Sequence, residues 1–145
     1  MSKAKMIFVN LPVSNLARAT AFYEAIGATK NPQFSDETAS GMVISETIHV
    51  MLLTHDKFRQ FTPKTIADAK TTSEVLICLS ADSREAVDET VNKAKGAGGT
   101  ADPAAKQDYG FMYGRSFEDL DGHIWEVMWM DVEAFTKAQS AAANA

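Results

Sequence analysis

The chain has 145 residues, 46% of them hydrophobic and 23% charged, with a net charge of −5; this is the length and balance of one ordinary globular domain that needs no disulfide or metal to hold its core. An acidic chain with scattered Lys and Arg is a poor partner for nucleic acid, and no apolar run approaches the roughly 18 residues that span a membrane. The opening MSKAKMIFVN lacks the apolar stretch of a signal peptide, and Cys78 is the single cysteine, so a cytoplasmic, reduced protein is expected.

From Met6 to Val13 the residues alternate, with Val9, Leu11 and Val13 on one face and Phe8, Asn10 and Pro12 on the other, which predicts a strand. Asn15 stands where a helix N-cap belongs. Leu16, Ala19, Phe22, Tyr23 and Ile26 follow at helical spacing until Gly27 closes the element. Turn-rich residues then separate strands expected near 30–34, 41–46 and 48–54. The stretch from His55 to Thr72 reads as a connection that partly packs through Phe58 and Phe61.

The same phrase then recurs. Val75–Ala81 reads as a strand, Asp82 and Ser83 supply a cap, Val87, Val91 and Ala94 form an apolar stripe, and Gly98 closes it. Further strands are expected over 107–118 and 123–130, and the alanine-rich tail 131–145 reads as a short helix fraying at its end. The chain is thus a duplicated β-α-β-β-β unit, spanning about 5–54 and 73–130. Two copies are too few for a solenoid and suit a pair of facing half-cups. The predicted fold is α+β, one domain of two tandem βαβββ units whose mixed sheets curve into a cup.

Two motifs carry a resemblance. Leu11-Pro-Val-Ser-Asn-Leu16 running into Ala21-Phe-Tyr-Glu24, and Phe117-Glu-Asp-Leu-Asp-Gly-His-Ile-Trp-Glu126, are similar to the opening and closing motifs of the vicinal-oxygen-chelate superfamily of glyoxalase I, bleomycin-resistance proteins and extradiol dioxygenases. Leu120 replaces the usual proline of the closing turn. Among members, the chain resembles bacterial proteins identified as lactoylglutathione lyases.

The resemblance implies a small-molecule ligand, a homodimer and, in metal-using members, one His, Glu or Gln donor on each of four strands. Glu126 matches the last donor and is the candidate catalytic base. The repeat sets Met51 at the matching place in the first unit and puts the first-strand positions near Phe8 and Leu76, so three of the four are apolar and no metal is expected. A shift of two residues along the strands would instead recruit Asn10, His49 and Glu74 with Glu126, so a divalent metal stays open. With three histidines in the chain, and His123 opposite in parity to Glu126, a dioxygenase set of two histidines and a carboxylate is disfavoured.

Between Asp108 and Phe117 one strand face carries Tyr109, Phe111, Tyr113, Arg115 and Phe117. If it lines the cup with Phe8, Asn10, Met51 and Met128, it suits a flat ligand whose acidic group pairs with Arg115. Alternatively these aromatics fill the core between sheet and helix; parity leaves both placements open. Two functions follow, a metal-independent binding protein of the bleomycin-resistance type, or a glyoxalase-like lyase that uses Glu126 with a displaced metal.

Overall fold

The computed structural model describes residues 3–144. Met1 and Ser2, where the segment read as free of a signal peptide begins, and Ala145, where the fraying tail ends, lie outside the described residues. In chain order the elements are β1 (Ile7–Val13), α1 (Leu16–Ala25), β2 (Thr29–Asn31), β3 (Ala39–Val43), β4 (Ile48–Thr54), α2 (His55–Arg59), β5 (Ile77–Ser80), α3 (Arg84–Gly96), β6 (Thr100–Ala101), β7 (Gln107–Asp108), β8 (Met112–Glu118), β9 (Ile124–Met130) and α4 (Val132–Ala143). The first sheet runs β1-β4-β3-β2 and the second β5-β9-β8-β6, with β7 paired to β8. In both, the first strand lies parallel to the last and the remaining pairs are antiparallel.

The repeat therefore holds at the level of topology, and also at its joints. The Asn15 side chain accepts the N–H of Arg18, and Ser83 accepts that of Ala86, so each helix starts on a side-chain cap. At the other end Gly27 and Gly98 both take positive φ, and the next residue's N–H returns to Tyr23 or Ala94, the left-handed closure that glycine permits. Four expected strand ranges shift. β5 is shorter than Val75–Ala81, the first hairpin strands sit at 29–31 and 39–43, and 107–118 divides into β7, a turn at Gly110 with φ of 79°, and β8.

The contacts divide the chain into two compact units, one reaching up to Thr72 and including Leu120–Gly122, the other formed by Ser73–Asp119 and His123 onward. In the first, α1 packs Ala19, Phe22 and Tyr23 against the sheet face of Leu11, Met42, Val50 and Leu52, all buried. Within that core the Thr20 and Ser40 hydroxyls bond each other at 2.7 Å, which satisfies two polar groups that would otherwise be costly to bury. The loop 120–122 closes on the same unit. The Asp121 carboxylate accepts the Ser14 N–H at 2.9 Å, and a Cβ on Gly122, at φ of 91°, would stand 2.8 Å from the backbone of Ala69 and Lys70. Only glycine fits that approach.

In the second unit α3 lays Val87, Val91 and Ala94, each fully buried, on Phe117, Trp125 and Val127. A polar clamp holds the outer part of the same face. Arg115, 8% exposed, pairs with Asp102 through Nε and Nη2 at 3.0 and 2.7 Å and with Asp88 of α3 at 2.9 Å, and Tyr113 donates its hydroxyl to Asp88 at 2.6 Å. Arg84 holds Asp108 by two bonds and lies over the rings of Tyr113 and Trp129. Asp102 sits at φ of 53°, a conformation costly for a non-glycine residue and here fixed by its bidentate bond to the guanidinium.

These bonds hold the Asp88 and Asp102 carboxyls below their ordinary value of 3.8, and Arg84 holds Asp108 down to about 2. Each carboxyl binds its proton less readily folded than unfolded, so the stability it contributes is present above the ordinary value and is lost as pH falls through the folded one. Arg115→Met leaves Asp102 part-buried and unpaired, and should lower unfolding free energy in urea at pH 7 by about 2–3 kcal/mol, less than a fully buried pair because Asp88 is screened by solvent. Between pH 4 and 2 the variant should lose less further stability than the wild type; an equal loss would show that Arg115 does not set these carboxyls.

Candidate functional site

A helix on one face of a sheet leaves the alternate residues facing away from it. In the second unit Tyr113, Arg115 and Phe117 of β8 and Trp125, Val127 and Trp129 of β9 face α3, so Met112, Gly114, Ser116, Glu126 and Met128 face the open side. The parallel pairing of β5 with β9 sets Cys78 level with Glu126, on that same side. A cavity of about 180 Å³ lies here, lined by Cys78, Gln107, Met112, Gly114, Ser116, Glu126 and Met128, with Ala104 and Ala105 on its rim. The segment after Asp102 reaches over it, and the Ala104 N–H bonds the Ser116 hydroxyl at 3.4 Å, burying Ser116.

Among the described residues, the Glu126 carboxylate has no hydrogen-bond or ion-pair partner. It is half-buried, and its charge acts on its neighbour. Burial first, and then the Glu126 charge, push the Cys78 thiol above its usual range. Gly114 forms a bare stretch of floor, where a Cβ would meet only the Val127 carbonyl oxygen at 3.8 Å.

The residues expected at the site fall into four places. Glu126 and Met128 line this cavity. Phe8, Asn10, His49 and Met51 share the open face of the first sheet, where the Phe8 and His49 rings stack at 4.7 Å. Tyr109 and Phe111 belong to the turn between β7 and β8, Tyr109 largely exposed and Phe111 packed on Phe135 of α4 at 5.3 Å between ring centroids. Tyr113 and Arg115 take the second of the two placements that parity left open, against the helix. Arg115 is already paired on both sides by Asp102 and Asp88, so its guanidinium is not free for a ligand's acidic group. Its place among the cavity-lining residues comes from the strand, not from the charge.

In the ladders Met51 stands opposite Asn10, and Glu126 opposite Cys78. Glu74 precedes β5 in exposed chain and is on no strand. The donor pair on the Glu126 level is thus one thiol and one carboxylate, and among the described residues no three His, Cys, Asp or Glu side chains stand together as a metal would need. Of the four strand positions that the resemblance singles out, those near Phe8, Met51 and Leu76 carry apolar side chains and Glu126 alone an oxygen donor, which does not fit the donor set of metal-using members.

The sequence carried a signal for the even-numbered face that the aromatic pattern obscured. The closing turn is symmetric about Asp121, which pairs Glu118 with Ile124 and hence Ser116 with Glu126. Counting back from Glu126 across that turn finds Ser116, Gly114 and Met112.

The model of the Glyoxalase/Bleomycin resistance protein/Dioxygenase superfamily matches residues 5–127. The chain belongs to this superfamily. Among solved structures of the glyoxalase-type fold, it is similar to hypothetical protein SA1046 from S. aureus, at 28% identity and a TM-score of 0.73 over 88% of this chain and 95% of that one. A glyoxalase/bleomycin resistance protein/dioxygenase family enzyme from Burkholderia phytofirmans aligns at 20% identity and a TM-score of 0.70, covering 88% of this chain and 99% of that one. FosX, a fosfomycin resistance protein from Listeria monocytogenes, aligns at 20% identity and 0.64 over 88% and 92%. No curated protein matches the sequence. At these identities the two latter likenesses speak for the superfamily fold alone.

Cys78 reports on this face. Its raised pKa predicts slow alkylation by iodoacetamide at pH 7.5, with the rate climbing at a pH above that of an ordinary thiol. Glu126→Gln removes one of the two causes and should move the rate profile to lower pH. An unchanged profile would mean that the carboxylate does not act on the thiol.

Proposed function

We propose that this superfamily member is a small-molecule-binding protein of the glyoxalase/bleomycin-resistance type, holding its ligand on the open face of the second sheet without the usual metal centre. The observation that carries this reading is the half-buried Glu126 carboxylate, unpartnered among the described residues, at a cavity whose other polar groups on the open face, Gln107, Ser116 and Cys78, are neutral. The carboxylate oxygens are open to solvent rather than paired among the described residues. A carboxylate left open, beside apolar walls of Met112 and Met128, suits a group that arrives with the ligand. Its setting on rigid strands gives it a fixed direction.

The second reading, a glyoxalase-like lyase, draws on the same carboxylate. A base of this kind can take a proton from carbon beside a carbonyl, but three of the four strand positions for the metal that would polarise the substrate oxygens, near Phe8, Met51 and Leu76, are apolar. The two readings separate by metal content. Elemental mass spectrometry of protein purified without a chelating tag should find no stoichiometric metal in the wild type or in Glu126→Gln. About one Ni, Zn, Fe or Mn per chain, lost in the variant, would overturn the binding reading in favour of the lyase.

The chain is further proposed to be cytoplasmic, in keeping with its single cysteine; among the described residues no helix is long and apolar enough to cross a membrane. It is also proposed to be a homodimer. Each sheet ends in an edge strand, β1 or β5, with apolar, exposed residues at its start: Met6 just before β1 with Ile7 and Phe8 in it, and Val75 and Leu76 just before β5. Open edges with apolar side chains favour pairing with a second surface. Light scattering should give about twice the chain mass of 15.8 kDa; the single-chain mass would contradict the dimer.

A further inference from the structure

The charge of the cavity is decided by which cations are already engaged. Its lining residues include one carboxylate, Glu126, and one guanidinium, Arg115, and these face opposite sides of the sheet. The Arg115 guanidinium is 8% exposed and saturated by Asp102 and Asp88. Lys106, exposed in the chain between the lining residues Ala105 and Gln107, does not itself line the cavity. That leaves a carboxylate with no ionic partner, the neutral Gln107, Ser116 and Cys78, and the apolar Met112 and Met128.

Resting on the reading of this face as the ligand site, we infer that the cavity takes a small organic cation, an ammonium-type donor on a compact apolar body, and disfavours organic anions. At about 180 Å³ the cavity is smaller than the roughly 300–1,000 Å³ that enclose drug-sized ligands. It accommodates a fragment, with the apolar part over the Gly114 floor between the methionines and the donor on Glu126. Methionine thioethers adapt their shape to such a body and take contacts with aromatic rings well. An ammonium group gains a charge-assisted bond to Glu126, whereas a carboxylate or phosphonate placed there meets a like charge that no cation facing the cavity among its described lining residues offsets. Cys78 stands level with Glu126 on the neighbouring strand, where burial first, and then the Glu126 charge, raise its thiol.

Three probes of nearly one shape test the inference: 2-phenylethylammonium, 2-phenylethanol and phenylacetate, each titrated at pH 7 and low salt into the ¹⁵N-labelled full chain and followed by amide shifts. The ammonium should move the amides of 112–116 and 126–128 and bind about tenfold more tightly than phenylacetate, a difference of about 1.4 kcal/mol. Glu126→Gln should bring that ratio close to one while leaving phenylethanol nearly unchanged. Gly114→Val, which the backbone accommodates because a Cβ there meets only ordinary contact at 3.8 Å, should weaken all three by filling the floor. Phenylacetate binding as tightly as the ammonium on this face, or a preference that survives Glu126→Gln, would overturn the inference and leave the site standing. Shifts confined to other regions, no shifts with any probe, or indifference to Gly114→Val would overturn the site itself and the inference with it.

Discussion

Side chains alternate along a strand, so a helix fixed on one face of a sheet assigns every residue of that sheet to the core or to the open side. In the second unit that assignment is made by α3, through its buried stripe of Val87, Val91 and Ala94 and through the ionic bonds of Arg115. The face given to the helix is large and aromatic, and it takes the unit's best-placed cation with it. The face left open receives what remains: a glycine, two methionines, a thiol and a carboxylate. The character of the site is thus a consequence of how the core was filled. The Arg115 clamp shapes the cavity without facing it, by withdrawing positive charge from the other side of the sheet.

The first unit meets the same constraint with different chemistry. Its helix covers Leu11, Val50 and Leu52, and its hydroxyl pair of Thr20 and Ser40 does in the core what ion pairs do in the second unit. The open face there bears Asn10 and Met51 at the level where the other sheet has Cys78 and Glu126. Identical topology with an amide and a thioether in place of a thiol and a carboxylate shows that the duplicated frame is held by backbone pairing and helix caps. The chemistry of each open face is free to diverge from the other.

The frame was legible in the sequence because its signals are local. Asn15 and Ser83 as caps, Gly27 and Gly98 as stops, and the periodic stripe of α3 each depend on residues a few positions apart, and all stand where the sequence placed them. The site was less so, because it depends on cross-strand register. Glu126 and Met128 lie on the cavity wall, but Tyr113 and Arg115 point to the helix, and the eye-catching aromatic alternation marked the core rather than the pocket. Hydrophobic bulk identifies a buried face without saying what buries it. The pairing of Glu126 with Cys78 needed the parallel ladder, and nothing in the neighbouring residues announces a parallel register in the way that a turn announces an antiparallel one.

The loop of Leu120–Gly122 has a bearing on how the chain is made. Although it lies between the last two strands, its contacts belong to the first unit: Asp121 receives the Ser14 N–H, and Gly122 presses on Ala69 and Lys70. During synthesis the first unit therefore waits for its final piece until residue 122 has left the ribosome, long after β1 to β4 are available to pair. Domains emerging from the ribosome tend to fold as they appear, but here the leading half is completed from the trailing one. The Ser14–Asp121 bond spans most of the chain, and a contact of such sequence separation forms late in folding, against a large loop-closure entropy. The two copies of the motif are thus alike in architecture and unequal in time.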